Sequence, residues 1–136
     1  MNKGSKTIEK EMYNALSEFF RGVINGHLYT SGQRVFNSET EDAVITVTKA
    51  ISGQIQKGNA LINVYVKDVD YGGGRYVPND PRLRDLDALG DSVVCILNSA
   101  DLDFSFELVS IDDIAMPDIR QWRKQLLLSF QRINFN

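Results

Sequence analysis

Apolar residues between Thr7 and Ile24 recur at spacings of three and four: Ile8, Met12, Ala15, Leu16, Phe19, Phe20 and Val23. At about 100° per residue they form one broad arc, with Lys10, Glu11, Asn14, Ser17, Glu18 and Arg21 on the other side. The pattern predicts a core-facing amphipathic helix with Thr7 as its N-cap and Asn25-Gly26 as its stop signal. Glu9 and Glu11 suit the positive helix end. Because the polar face mixes acids with bases, a membrane-surface helix is disfavoured. His27 to Phe36 reads as a short extended segment broken by Thr30-Ser31-Gly32-Gln33, and Asn37 to Glu41 as a polar connection. Asp42 to Ser52 alternates, with Ala43, Ile45, Val47 and Ile51 against Thr46, Thr48 and Ser52. Asn59 to Asp68 alternates as well, with Ala60, Ile62, Val64 and Val66 against Leu61, Asn63, Tyr65 and Lys67. These β-branched runs predict a long antiparallel hairpin turning near Lys57-Gly58.

Val69 to Asn79 contains Tyr71-Gly72-Gly73-Gly74-Arg75-Tyr76 and Pro78, the composition of an exposed loop. Asp80-Pro81 then offers an N-cap followed by proline at N1. Leu83, Leu86, Leu89, Val93, Val94 and Leu97 share one helical face, with Arg84, Asp91 and Cys95 roughly opposite. Phe104, Phe106 and Leu108 alternate as a strand, and Asp112 to Gln121 reads as a connection. Trp122 to Ile133 reads as the last strand, although Leu127 and Ile133 interrupt its polar face and a helix competes over Gln121 to Leu128. The expected architecture is α+β: an antiparallel β-sheet with two helices packed on one face, in the order α-β-β-β-α-β-β. Residues 1–136 form a single domain in this reading, with residues 1–6 a flexible lead and 69–79 an exposed Gly-rich loop.

The chain has 136 residues, and 43% hydrophobic with 24% charged residues is the balance of a globular domain that can hold its own core. Fifteen Lys and Arg against 18 Asp and Glu leave a net charge of -3. A free-standing nucleic-acid binder carries a basic footprint, so strong generic DNA or RNA binding is disfavoured. Cys95 is the one cysteine and His27 the one histidine. A Cys/His zinc site is therefore excluded, and the counts fit a reducing compartment. No run approaches the ~18 apolar residues of a membrane span, and the N-terminal residues lack an apolar signal core.

Motifs for chemistry are sparse. Gly72-Gly73-Gly74 matches neither a P-loop nor a dinucleotide fingerprint. Asp101, Asp103, Glu107, Asp112 and Asp113 offer hard oxygens, but no second acidic cluster completes a cation site, so solvated loop acids are expected. A metal nuclease sets acids and a lysine on adjacent strands, whereas Gln54-Ile55-Gln56-Lys57 has amides where that chemistry needs carboxylates. His27, Ser31 and Cys95 are a possible base and nucleophiles that no motif brings together. The residues therefore point to no catalytic group, cofactor or metal. Arg34, Arg75, Arg82, Arg84, Arg120, Arg123 and Arg132, with Tyr71, Tyr76 and Trp122, form either a partner-binding surface or ordinary surface.

The order of elements resembles the small neck and tail-completion proteins of tailed bacteriophages, tail-terminator-like proteins among them. The similar stretches are the helix from Glu11 to Ile24, Gly26-His27-Leu28-Tyr29 as the short strand after it, Ile62-Asn63-Val64-Tyr65-Val66 as a central strand, and Leu83 to Leu97 as the second helix before a closing strand pair. The resemblance implies a structural virion protein without catalytic residues. It implies a homo-oligomeric ring, sixfold or twelvefold, at the head–tail junction, with portal, neck or tail proteins as neighbours. DNA would pass through the lumen without sequence-specific binding, and no membrane would be involved. Tyr71, Arg75 and Tyr76 of the loop and Gln54, Gln56 and Lys57 of the hairpin become the candidate contacts. The alternatives are a small metal-dependent nuclease-like enzyme and a soluble adaptor domain.

Overall fold

Two strands of thirteen residues organise the sheet: β3 (Ile55–Lys67) and β7 (Gln121–Ile133), antiparallel and paired along their whole length. The computed structural model describes residues 2–133; Met1 and the side chain of Ile133 lie outside the described residues. The other elements are α1 (Ser5–Arg21), β1 (Leu28–Thr30), β2 (Ala43–Ile51), β4 (Val69–Asp70), β5 (Tyr76–Val77), α2 (Asp80–Asp85), α3 (Leu89–Ser99) and β6 (Ser105–Met116). The strand order of the sheet is β1-β2-β3-β7-β6, and β4 and β5 make a separate two-stranded hairpin. The fold is α+β, with its helices on one face of a five-stranded sheet. The sheet is antiparallel except at one edge, where β1 runs parallel to β2. A parallel neighbour needs a crossover instead of a tight turn, and the segment from Ser31 to Asp42 supplies it.

Period-two alternation sends Ala60, Ile62, Val64 and Val66 of β3 to one face, with Leu126, Leu128 and Phe130 of β7 beside them. Ile8, Met12, Leu16 and Phe20 of α1 and Val93 and Leu97 of α3 complete this core, all fully buried or nearly so. Phe104, Phe106 and Phe130 pack as tilted and edge-on rings beneath α3. Gly90 lets α3 approach β6, since a Cβ there would lie 2.6 Å from Leu108 Cδ2.

Several boundaries differ from the sequence pattern. Helix α1 begins at Ser5 with Gly4 as its N-cap, so Ser5 and Lys6 are helical. Lys3 is also held: its N–H donates to Gln56 Oε1 at 3.0 Å. The hairpin turns at Ser52-Gly53-Gln54, not at Lys57-Gly58, and β3 continues through both of those residues. Gly58 marks a close approach of strands: a Cβ there would lie 1.8 Å from the Lys49 carbonyl oxygen. That approach sits beside the irregularity in β2 between Val47 and Lys49, the position of a bulge. Instead of one helix, Asp80 to Ser99 forms α2, a 3-10 turn over Leu86–Ala88 and then α3. Leu83, Leu86 and Leu89 follow one another every three residues, the period of a 3-10 turn. The cap of α2 is Asn79, whose side chain accepts from the Arg82 N–H at 3.3 Å, and not Asp80. Strand β6 runs on to Met116, through residues expected as a connection, and Gln121 to Leu128 is strand and not helix.

Candidate functional site

The six candidate contacts do not form one surface. Gln54 is exposed in the turn between β2 and β3, and Lys57 is exposed on the sheet face away from the helices. Gln56 is fully buried on the helix side, where its side-chain amide donates to the Lys3 carbonyl oxygen at 2.7 Å. It ties down the start of the chain. The Gly-rich loop lies at the opposite end of β3, on the order of 40 Å along the strand. That loop is ordered by its own bonds: Tyr71 N–H to the Arg75 carbonyl, Arg75 N–H to the Gly72 carbonyl, and Gly72 N–H to Asp70 Oδ1. Gly72, Gly73 and Gly74 all have positive φ, between 63° and 85°, which explains the three glycines. Tyr71 is exposed, with the Arg75 guanidinium 5.6 Å from its ring. Tyr76 is half-buried and carries Arg120 over its ring at 3.9 Å. The loop therefore presents Tyr71 and Arg75 together, and Tyr76 belongs to a second patch beside Asp68 and Arg120.

The helix-free face of the sheet holds the groups that the sequence did not single out. The crossover from Ser31 to Asp42 lies over one end of this face. Arg34 stacks 3.9 Å above the Tyr65 ring and donates through Nη2 to Gln121 Oε1 at 3.1 Å. Asp42, with no exposed surface, accepts from Arg34 Nε, the Ser38 and Thr40 hydroxyls and the His27 N–H, at 2.6–3.0 Å. Burial raises the pKa of such a carboxyl. Here the bonds from Ser38, His27, Thr40 and Arg34 outweigh burial and hold it below its ordinary value. Between these anchored residues the chain projects Val35 and Phe36, which are 62% and 89% exposed. The only signal for this knob in the sequence is an apolar pair set inside the polar run from Ser31 to Glu41.

At the other end of the same face is a cleft of about 350 Å³. Gly58 and Phe130 contribute to its lining, with Lys49, Ile51 and Lys57 on one side and Glu107 and Ser129 on the other. Between the knob and the cleft, Leu61 of β3 pairs with Leu127 of β7, a half-buried apolar pair in the middle of the face.

A third cluster concerns chemistry. Lys124, on the helix side of β7, has no exposed surface, and its ammonium lies 2.5 Å from Asp87 and 2.8 Å from Asp113. Burial lowers the pKa of a lysine, but the hydrogen bonds that the ammonium donates to Asp113 and Asp87, with the charge of both carboxylates, more than offset it and raise this one. An acid and a lysine thus sit on adjacent strands, as a metal nuclease requires, yet the ammonium itself fills the space between the carboxylates. No group of three His, Cys, Asp or Glu suited to a metal ion occurs among the described residues. Glu9 is likewise buried in a cage of donors: the Val47 N–H, the Ser31 N–H and hydroxyl, and Lys6. Burial acts to raise its pKa, and those bonds overcome it and lower it. Glu9 is a core group and not a dipole-compensating surface acid. The Ser31 hydroxyl is committed to Glu9, His27 is exposed beside Tyr29, and Cys95 is exposed on α3, so the three form no constellation. The arginines are separately engaged, Arg82 with Glu41 and the Val23 carbonyl and Arg132 with Asp103, and Trp122 packs against the core. No helix among the described residues is long and apolar enough to cross a membrane. No protein-family model matches the chain, and no curated protein matches it in sequence.

Proposed function

We propose that the chain is a structural virion subunit, a ring-forming head–tail connector or tail-completion protein through which DNA passes. This is the role that its resemblance to phage neck and tail-completion proteins implies. The observation that supports an assembling role best is the one-sided placement of the helices. They cover one face of the sheet and leave the other face, and the outer edge of β6, without a helix or strand across them among the described residues. Twelve residues of edge strand present backbone N–H and C=O groups that another chain can use. The irregularity between Leu108 and Ser110 twists that edge, which restrains indiscriminate pairing. A net charge of -3 suits a lumen that lets DNA slide without gripping its phosphates. The neighbours in this reading are portal, neck or tail proteins.

Mass photometry with negative-stain electron microscopy tests the proposal. Closed rings of six or twelve subunits are expected. A chain that stops at a monomer or dimer at high concentration removes the ring reading.

A further inference from the structure

We infer that the outer edge of β6 over residues 110–116 is a strand-docking site for an extended segment of another protein, one in which two consecutive basic residues are flanked by apolar ones. This goes beyond the ring reading, concerns a partner other than a second copy, and does not depend on it.

The hydrogen-bond ladder shows which part of the edge is open. Asn98, near the end of α3, clasps β6 at Phe106: its side-chain amide donates to the Phe106 carbonyl at 3.0 Å and accepts from the Phe106 N–H at 2.8 Å. Phe106 therefore turns its backbone groups outward, and its pair Phe130 turns its own toward β3. Alternation along β7 then points Leu127, Gln125 and Arg123 at β6. Their partners Ser110, Asp112 and Ile114 are bonded inside the sheet, so Ile111, Asp113 and Ala115 face outward. The Tyr65 N–H, which donates to the Asp42 carbonyl on the β2 side, fixes the same alternation independently, because Tyr65 is paired with Arg123. Elsewhere the fold closes such positions with side chains. Glu9 accepts from the Val47 N–H past the end of β1, as Asn98 closes Phe106. Among the described residues nothing bonds to the outward groups of Ile111, Asp113 and Ala115. A regular run of edge left in this state is a template for an added strand.

Charge names the occupant. Strand β6 carries Glu107, Asp112 and Asp113 and no basic residue. Asp112 is exposed and faces the Gln125 amide on its inner side. Asp113 meets Lys124, but Asp87 shares that one ammonium, and the two side chains stay 41% and 62% exposed. Directly opposed charges in a sheet stabilise when opposite and destabilise when alike. The residues set against Asp112 and Asp113 are therefore Lys or Arg, and those set against the half-buried Ile111 and Ile114 are apolar. That pattern reads the same in both directions, so it holds for a parallel or an antiparallel strand. A second copy fits poorly: antiparallel pairing of the whole run sets Asp113 against its own copy. The acids thus deter like strands and select a basic one.

The test uses the full chain and the peptide acetyl-Thr-Val-Lys-Lys-Val-Thr-amide, with Glu-Glu in place of Lys-Lys as the control. Amide hydrogen exchange by NMR is the readout. Exchange at Ile111, Asp113 and Ala115 is expected to slow about tenfold when the Lys-Lys peptide is at about ten times its Kd, while Ser110 and Asp112 change little. Asp112→Lys is expected to weaken the Lys-Lys peptide about tenfold and to bind the Glu-Glu peptide more tightly than the wild-type chain does. No slowing at about 1 mM Lys-Lys peptide overturns the site, and equal binding of the two peptides overturns the basic partner. Protection of the same amides that grows with protein concentration, without peptide, would put a second copy there and overturn it as well. Closed rings whose β6 amides the peptide leaves unprotected overturn this inference alone, and a monomer that binds the peptide removes the ring alone.

Discussion

Arg34 Nε lies 3.0 Å from Asp42 Oδ2, with Asp42 fully buried and Arg34 stacked on Tyr65. One ion pair thus joins the start of the crossover to its end and clamps both to the helix-free sheet face. Removing one partner of such a pair leaves the other buried and uncompensated.

Asp42→Ala is therefore expected to cost about 3–5 kcal/mol, since four donors lose their acceptor together. Arg34→Ala should cost less, because the Ser38, Thr40 and His27 donors remain to satisfy the carboxylate. Urea unfolding of the two variants checks the order, and equal losses would mean that the ion pair, not the cage, carries the stability.

Acid stability follows from the two caged carboxyls. Asp42 and Glu9 both have pKa values lowered by folding, so the unfolded chain binds protons first as pH falls. Their contribution is full above the ordinary carboxyl range and is lost as pH falls through the folded values. Melting temperature should be flat near neutrality and drop steeply below about pH 4, with the drop reduced in a Glu9→Gln, Asp42→Asn double variant.

Lys124 should behave in the opposite sense. Its raised pKa makes its contribution complete below the ordinary lysine value and lost only as pH rises through the folded one. Its two partners are 62% and 41% exposed, so they stay hydrated when the ammonium is removed. Lys124→Met is expected to change stability by about 1 kcal/mol or less, in either direction. Asp87→Ala with Asp113→Ala strands a buried ammonium and should cost about 3–5 kcal/mol. Chemical denaturation of both variants checks the asymmetry.

Gly58→Ala is expected to destabilise by about 1–3 kcal/mol, as its Cβ would collide with the Lys49 carbonyl of the neighbouring strand beside the bulge. Gly73→Ala meets no atom within 4 Å, so its cost is confined to the positive φ of 63°, about 1 kcal/mol. Thermal melts of the two variants should separate close approach from backbone conformation.

Replacing Tyr71, Arg75 and Tyr76 together with Ser is expected to leave the circular dichroism spectrum nearly unchanged. Ring formation or attachment to a neighbouring virion protein should weaken. A triple variant that assembles like the wild-type chain would limit the loop to a connection between β3 and α2.

Much of the fold was legible because burial imposes periodicity. The arc of Ile8, Met12, Leu16 and Phe20 could only be a helix with one buried side, and the alternation of Ala60, Ile62, Val64 and Val66 only a strand with one. Those local patterns determined the helices, the strands and the α+β class. Partner choice is a different matter, because a period-two pattern is satisfied by any neighbour with a matching face. Only the tertiary structure decided that β1 lies parallel to β2, that β7 enters between β3 and β6, and that Gly58 marks a close approach of paired strands instead of a turn. The same holds for the polar groups. Glu9, Asp42 and Lys124 look like surface charges in the sequence because part of each one's set of donors or acceptors comes from Val47, Ser31, His27, Asp87 or Asp113, residues that only folding brings near. Phe36 is the converse case. Its residue type predicts burial, and it is exposed because the clamp between Arg34 and Asp42 turns the chain outward at that point.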